Sequence, residues 1–176
     1  METKELNNNI EIPNQLKNPG FRFCLLKPRE KTPFEVDWQR NRNYRYDNPK
    51  LLEHLKNNGN IGIISGYGNL RIIDIDNIQY AQEILNKLPE TFTIKTGTNG
   101  FHIYFLSDYA VNSVLKNNIG EFRALYMQCV CKGIHPNGNK YEIYKDVEIA
   151  QIPKEKVKDF LKPYLREYHY NLTSFE

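Results

Sequence analysis

Apolar residues recur along this chain in short blocks whose spacing alternates between the period of two that marks strands and the 3.6-residue period that marks helices. Residues 21–26 form the first strand-like block, and the stretch after it, marked by Pro28 and Pro33, reads as loop. Asn48 followed by Pro49 opens a helix carrying Leu51, Leu52 and Leu55, which Asn58-Gly59 ends. Two β-branched runs, 61–65 and 70–76, flank the turn-forming Gly66-Tyr67-Gly68-Asn69, which predicts that they pair as a hairpin. Asn77 suits a helix cap, with Ile78, Ala81, Leu85 and Leu88 at helical spacing before Pro89. The clearest hairpin joins 92–96 to 101–106 through a Gly97 to Gly100 turn containing Asn-Gly. Further strands are expected at 119–123, 126–131 and 140–144. A last helix from Pro153 presents Val157, Phe160, Leu161, Tyr164 and Leu165 on one face, kinked or shortened by Pro163.

Hairpins with interspersed helices predict an α+β fold: a mainly antiparallel sheet with helices on one face and an open cleft on the other. Residues 1–19 read as an N-terminal extension, 20–166 as one domain and 167–176 as a loose tail. The length of 176 residues is enough for one hydrophobic core, and 40% hydrophobic with 26% charged residues is ordinary for a globular chain. No apolar run approaches the roughly 20 residues of a membrane span, and Met1 to Asn9 lacks the apolar stretch of a secretion signal, so a cytoplasmic protein is expected. Cys24, Cys129 and Cys131 make an odd count without zinc-finger spacing, which favours reduced core thiols.

Net charge is a mild +3, so local distribution says more than the sum. Lys27, Arg29, Lys31, Arg40, Arg42 and Arg45 interleave with Trp38, Tyr44 and Tyr46, a mixture suited to phosphate contacts and base stacking on a single strand, or to a solvated basic loop.

Three strands carry candidate chemistry. Asp74 and Asp76, two apart on a strand, point to one side while Ile73 and Ile75 point to the other. Like charges so close call for a cation, and Mg²⁺ or Mn²⁺ prefers such oxygens; the same pattern also occurs as a solvated strand end. Phe101, Ile103 and Phe105 make an apolar stripe, leaving His102 and Tyr104 on the opposite face. There His102 either donates to a phosphate oxygen or forms half of an ordinary cross-strand pair. Glu121 and Arg123 share a face opposite Phe122, as a third metal oxygen and a triphosphate or template cation, or as plain surface. The loop 132–141 offers Lys132, His135 and backbone N–H groups to an anion.

In this order the segments resemble the archaeo-eukaryotic primase superfamily, specifically the bifunctional primase-polymerase domains common on plasmids and viruses. The resemblance runs through Lys31-Thr32-Pro33 with Trp38, Gly62 to Gly66 leading into Asp74 and Asp76, Thr96-Gly97 to His102, Glu121 with Arg123, and His135 with Gly138 and Tyr141, over about residues 20–145. It implies a primase-polymerase core that joins nucleotides on single-stranded DNA in plasmid, viral or repair-type replication, using two divalent ions, Mg²⁺ or Mn²⁺. Asp74, Asp76 and Glu121 become the metal ligands, with His102 beside them in catalysis. His102, Arg123, Lys132, His135, Tyr141, Ser65 and Gly66 become contacts for an NTP or dNTP, and Lys31, Trp38, Arg40, Arg42 and Arg45 contacts for the template. Two positions depart from the family pattern: the third acid is Glu121 where Asp is usual, and Gly133 stands where a serine is expected. With no zinc module, no helicase part and little room for an accessory helical bundle, the chain reads as a core fragment or minimal enzyme whose helicase or helical partner is supplied elsewhere. Two other readings fit the same residues: a non-catalytic nucleotide or single-strand binding module, and a metal-dependent phosphodiesterase.

Overall fold

The structure is a computed structural model that describes residues 11–166. The expected tail at 167–176 and the first ten residues lie outside the described part. The fold is α+β, built from two mainly antiparallel sheets and few helices. Strands β1 (Phe23–Leu26), β2 (Asn60–Ile64) and β8 (Gln128–Lys132) form a small sheet in the order β1-β2-β8. The large sheet runs β6 (Ser113–Val114), β7 (Gly120–Arg123), β3 (Leu70–Ile75), β5 (Phe101–Leu106), β4 (Thr93–Lys95), β9 (Glu142–Lys145). A short β10 (Ala150–Gln151) pairs with β5 in parallel.

Helix α1 (Pro49–Lys56) starts as its sequence dictates, with the Asn48 side chain accepting the Lys50 N–H at 2.9 Å. Asn77 caps in the same way, but a 3₁₀ turn at Ile78–Tyr80 precedes α2 (Ala81–Lys87). That turn leaves Ile78 exposed, so Ile84 rather than Ile78 joins Ala81 in the core. Helix α3 (Lys154–Leu161) passes into a 3₁₀ turn where Pro163 forbids a regular α-helix.

The 92–106 hairpin forms with Ile94 opposite His102. The hairpin expected between 61–65 and 70–76 does not. Strand β2 pairs with β1 and β8, and β3 pairs with β5 and β7, so the two runs belong to different sheets. Both are buried along their whole length, and strands buried on both faces do not specify by their pattern which neighbour they pair with. Gly66 at φ 107° and Gly68 at φ 64° swing the chain from one sheet to the other.

Two apolar clusters sandwich the large sheet. On one side Ile73, Ile75, Ile103, Phe105 and Phe122 pack with Ala81, Ile84, Val157 and Leu161 of helices α2 and α3. On the other, Ile72, Ile94 and Tyr104 pack with the small sheet and with Leu51 and Leu55 of α1. Ile12 and Leu16 belong to this second core.

Candidate active site

Strand register puts the chemistry in a row. Asp74 of β3 stands directly opposite Glu121 of β7 on one side and His102 of β5 on the other, so all three share the face that looks toward the small sheet. One level along, Arg123 and Tyr104 flank Ile72 in the same way. The row fits because the residue before Glu121 is Gly120, at φ 143°, where a Cβ would run into the Asp74 carbonyl.

Charges at this row are interlocked. Asp74 Oδ1 lies 3.3 Å from His102 Nε2, and Oδ2 lies 3.2 Å from Arg123 Nη2. Arg123 Nε donates to Glu121 Oε2 at 3.2 Å, and its Nη1 donates to the Gln128 carbonyl. Burial alone would push the Asp74 carboxyl up; His102, Arg123 and Lys31 outweigh it and hold it below the usual carboxylate range. Asp76, just past the end of β3, is shifted the opposite way, by burial and by the charge of Asp74.

Beside the row is a polar cavity of about 230 Å³ lined by Lys31, Asp74, Asp76, Thr96, His102, Arg123, Gln128, His135 and Tyr141, among others. Glu121 stands at the row but is bonded to Arg123 and does not line this cavity. Tyr141 lies 6.1 Å from the His102 ring and 6.0 Å from the His135 ring, centroid to centroid. His135 accepts the Asn137 N–H at Nδ1, 3.0 Å away, so its ring proton sits on Nε2. That buried Nε2 has no hydrogen-bond partner among the described residues. Burial, and then Lys31, lower the affinity of His135 for a second proton.

Gly133, the departure in this loop, has φ 135°, and a Cβ there would strike the Asn60 side chain. Asn60 instead fixes the loop itself, with Nδ2 donating to the Ile134 carbonyl at 2.7 Å and Oδ1 accepting the Ile134 N–H at 2.9 Å. Nothing in the local sequence of Asn60 signals this role, which depends on a contact 74 residues away.

Several other expected residues sit elsewhere. Ser65 and Gly66 occupy the chain reversal after β2, where Ser65 Oγ donates to the Met127 carbonyl, and they do not line the cavity. Lys132 lines a separate, larger cavity of about 830 Å³ between α1, β8 and β9, and burial lowers its pKa. Tyr104 does not share an open polar face with His102: it is fully buried, because the small sheet covers that part of the large one. In the basic segment Arg40, Arg42 and Arg45 are exposed, Arg45 pairing with Asp47 at 3.3 Å. Trp38, Tyr44 and Tyr46 are half-buried, packed against the core. Lys31 reaches the cavity.

A family profile described as the N-terminal domain of bifunctional DNA primase/polymerase matches residues 14–155. The chain belongs to this family. As a primase/polymerase domain it is a nucleotidyltransferase in general type, and such a domain takes nucleotides and single-stranded DNA. No curated protein matches the chain. Among the described residues of this primase/polymerase domain, no helix is long and apolar enough to cross a membrane. The expected ligand trio of primase/polymerase chemistry is drawn together only in part. Among the described residues, the group of three donors within 4.8 Å of one another is Asp74, His102 and Cys129, a set that includes a thiol treated above as core.

Proposed function

We propose that this chain is a template-directed nucleotidyltransferase, a DNA primase and DNA polymerase that joins NTPs or dNTPs along single-stranded DNA in plasmid, viral or repair-type replication in the cytoplasm. The observation that carries the reading is the cross-strand row Glu121, Asp74, His102 beside a polar cavity that also receives Asp76, Lys31 and His135. In this reading Asp74, Asp76 and Glu121 hold Mg²⁺ or Mn²⁺. The donor set suits hard cations: three carboxylates, two of them facing one cavity, with Asp76 destabilised as an anion in a way a cation would relieve. When bound, the ions supply charge neutralisation for in-line attack of a primer 3′-hydroxyl on the α-phosphorus and for departing pyrophosphate.

The protein's own groups do the holding. His135 offers its unpaired Nε2–H to a phosphate oxygen, and Lys31 brings a positive charge to the same cavity. Arg123 links Asp74 to Glu121 and lies within reach of a triphosphate that competes for its guanidinium. His102, oriented by the Val130 carbonyl, fixes the Asp74 carboxylate. Exposed Arg40, Arg42 and Arg45, with Trp38 behind them, form the surface offered to the template, and a helicase or accessory helical domain acts from another chain or segment.

Primer extension on a single-stranded template, with each nucleotide set and each metal, tests the proposal. Asp74→Asn should lose synthesis while keeping the wild-type circular dichroism. Full activity in that variant sinks the assignment. Metal-independent binding without synthesis would instead mark a binding module, and loss of labelled DNA without nucleotides a phosphodiesterase.

A further inference from the structure

Cys129 has no part in the reading above, yet its Sγ completes a buried group with Asp74 and His102. Two features of that group point to a ligand. His102 Nδ1 is 3.0 Å from the Val130 carbonyl, which can only accept, so Nδ1 carries a hydrogen. In the singly protonated ring Nε2 then presents a lone pair to Asp74 Oδ1 at 3.3 Å, an acceptor facing an acceptor. A second proton or a cation must stand between them. A histidine whose Nδ1–H is tied to a backbone carbonyl while Nε2 stays free is how metal-ligating imidazoles are oriented. Spacing is the second feature. At zinc distances of about 2.0 Å, neighbouring N and O ligands of a tetrahedron stand roughly 3.3 Å apart, which is the Asp74 to His102 separation.

We propose that Asp74 Oδ1, His102 Nε2 and Cys129 Sγ form a site for a borderline-soft divalent cation, zinc foremost, with a fourth position open to water or a phosphate oxygen, and that zinc held there inhibits synthesis. The thiol sets the selectivity, since sulfur favours zinc and cobalt over magnesium. Arg123 uses the other oxygen of Asp74, leaving Oδ1 available, and its 3.6 Å contact to Cys129 Sγ gives way on coordination. The thiol proton leaves to solvent as the ion binds. Inhibition follows because zinc occupies an aspartate that magnesium requires. That clause rests on the nucleotidyltransferase reading, whereas binding does not.

Cobalt(II) titration of the whole chain, followed by the thiolate-to-cobalt charge-transfer absorption and then displaced by zinc, tests the site. One equivalent of cobalt should give the band in wild type and in Cys131→Ser, whose equally buried thiol faces the Ile61 carbonyl. Cys129→Ser and His102→Gln should lose the band, and zinc affinity, measured against a chromophoric chelator, should fall at least tenfold in each. Absence of the band from wild type overturns the proposal without any variant having to fold, as does a band that survives in folded Cys129→Ser. In primer extension the ratio of synthesis without zinc to synthesis with zinc should drop at least tenfold in Cys129→Ser. A Cys129-dependent band in a protein that makes no product under any metal would uphold the zinc site and defeat the polymerase reading instead.

Discussion

At the level of Asp74 the same strands give the large sheet two faces of opposite character. Ile73, Ile75, Ile103, Phe105 and Phe122 on the helical side are fully buried and apolar, and the one charge among them, Arg71, is spent on the carbonyls of Tyr109 and Ala124. On the other side Asp74, His102, Glu121 and Arg123 face strand β8 of the small sheet, beside a polar cavity of about 230 Å³. Alternation along a strand lets one set of residues hold the fold while their immediate neighbours hold the chemistry. Substitutions on the two faces should therefore separate stability from synthesis.

The largest effect belongs to the helical face. Phe122→Ala removes a ring stacked on Phe105 at 5.9 Å and on Tyr109 at 5.8 Å, and should cost about 3–5 kcal/mol in urea unfolding. A loss under about 1 kcal/mol would show that this face is not the one carrying stability. Next comes Asp74→Asn, expected to lower synthesis roughly a thousandfold, on the order of 4 kcal/mol. Its unfolding should shift far less, because Arg123 keeps Glu121 as partner. If instead stability collapses and the residual rate per folded molecule stays high, the division between faces fails. His135→Ala should raise KM for nucleotide by about tenfold with kcat little changed, the signature of a lost ground-state contact; an unchanged KM would remove His135 from the site.

Lys132→Met should have the smallest effect and tests the boundary of the site. Burial depresses the Lys132 pKa below the ordinary 10.5, so the unfolded chain holds that proton more tightly than the folded one. Stability then rises with pH between the depressed value and 10.5. The methionine variant should lack that rise and keep wild-type nucleotide affinity, since Lys132 lines the other cavity. Loss of affinity would return Lys132 to the triphosphate.

The sequence disclosed what alternation can encode. Asp74 facing away from Ile73 and Ile75, and Glu121 facing away from Phe122, are written in the spacing, and the structure places each on the expected side. Which strands become neighbours is not written there when a run is buried on both faces, and so the sequence matches β2 to β3 although each pairs elsewhere. Trp38, Tyr44 and Tyr46 look alike in sequence whether they display a ring or bury it. Cys129 was hidden for a different reason: it meets Asp74 and His102 across two sheets, and no local pattern links three residues on three strands.

Gly120 has a consequence for how this domain tolerates change. If β7 slid by two residues, Phe122 would still face the helices, so burial alone would scarcely object, yet Arg123 would replace Glu121 across from Asp74 and one carboxylate would leave the row. What penalises the slide is steric: Phe122 would arrive where only a residue without a side chain clears the Asp74 carbonyl. One missing methyl group thus acts as a latch on alignment, and replacing it would misplace an acid without visibly disturbing the hydrophobic interior.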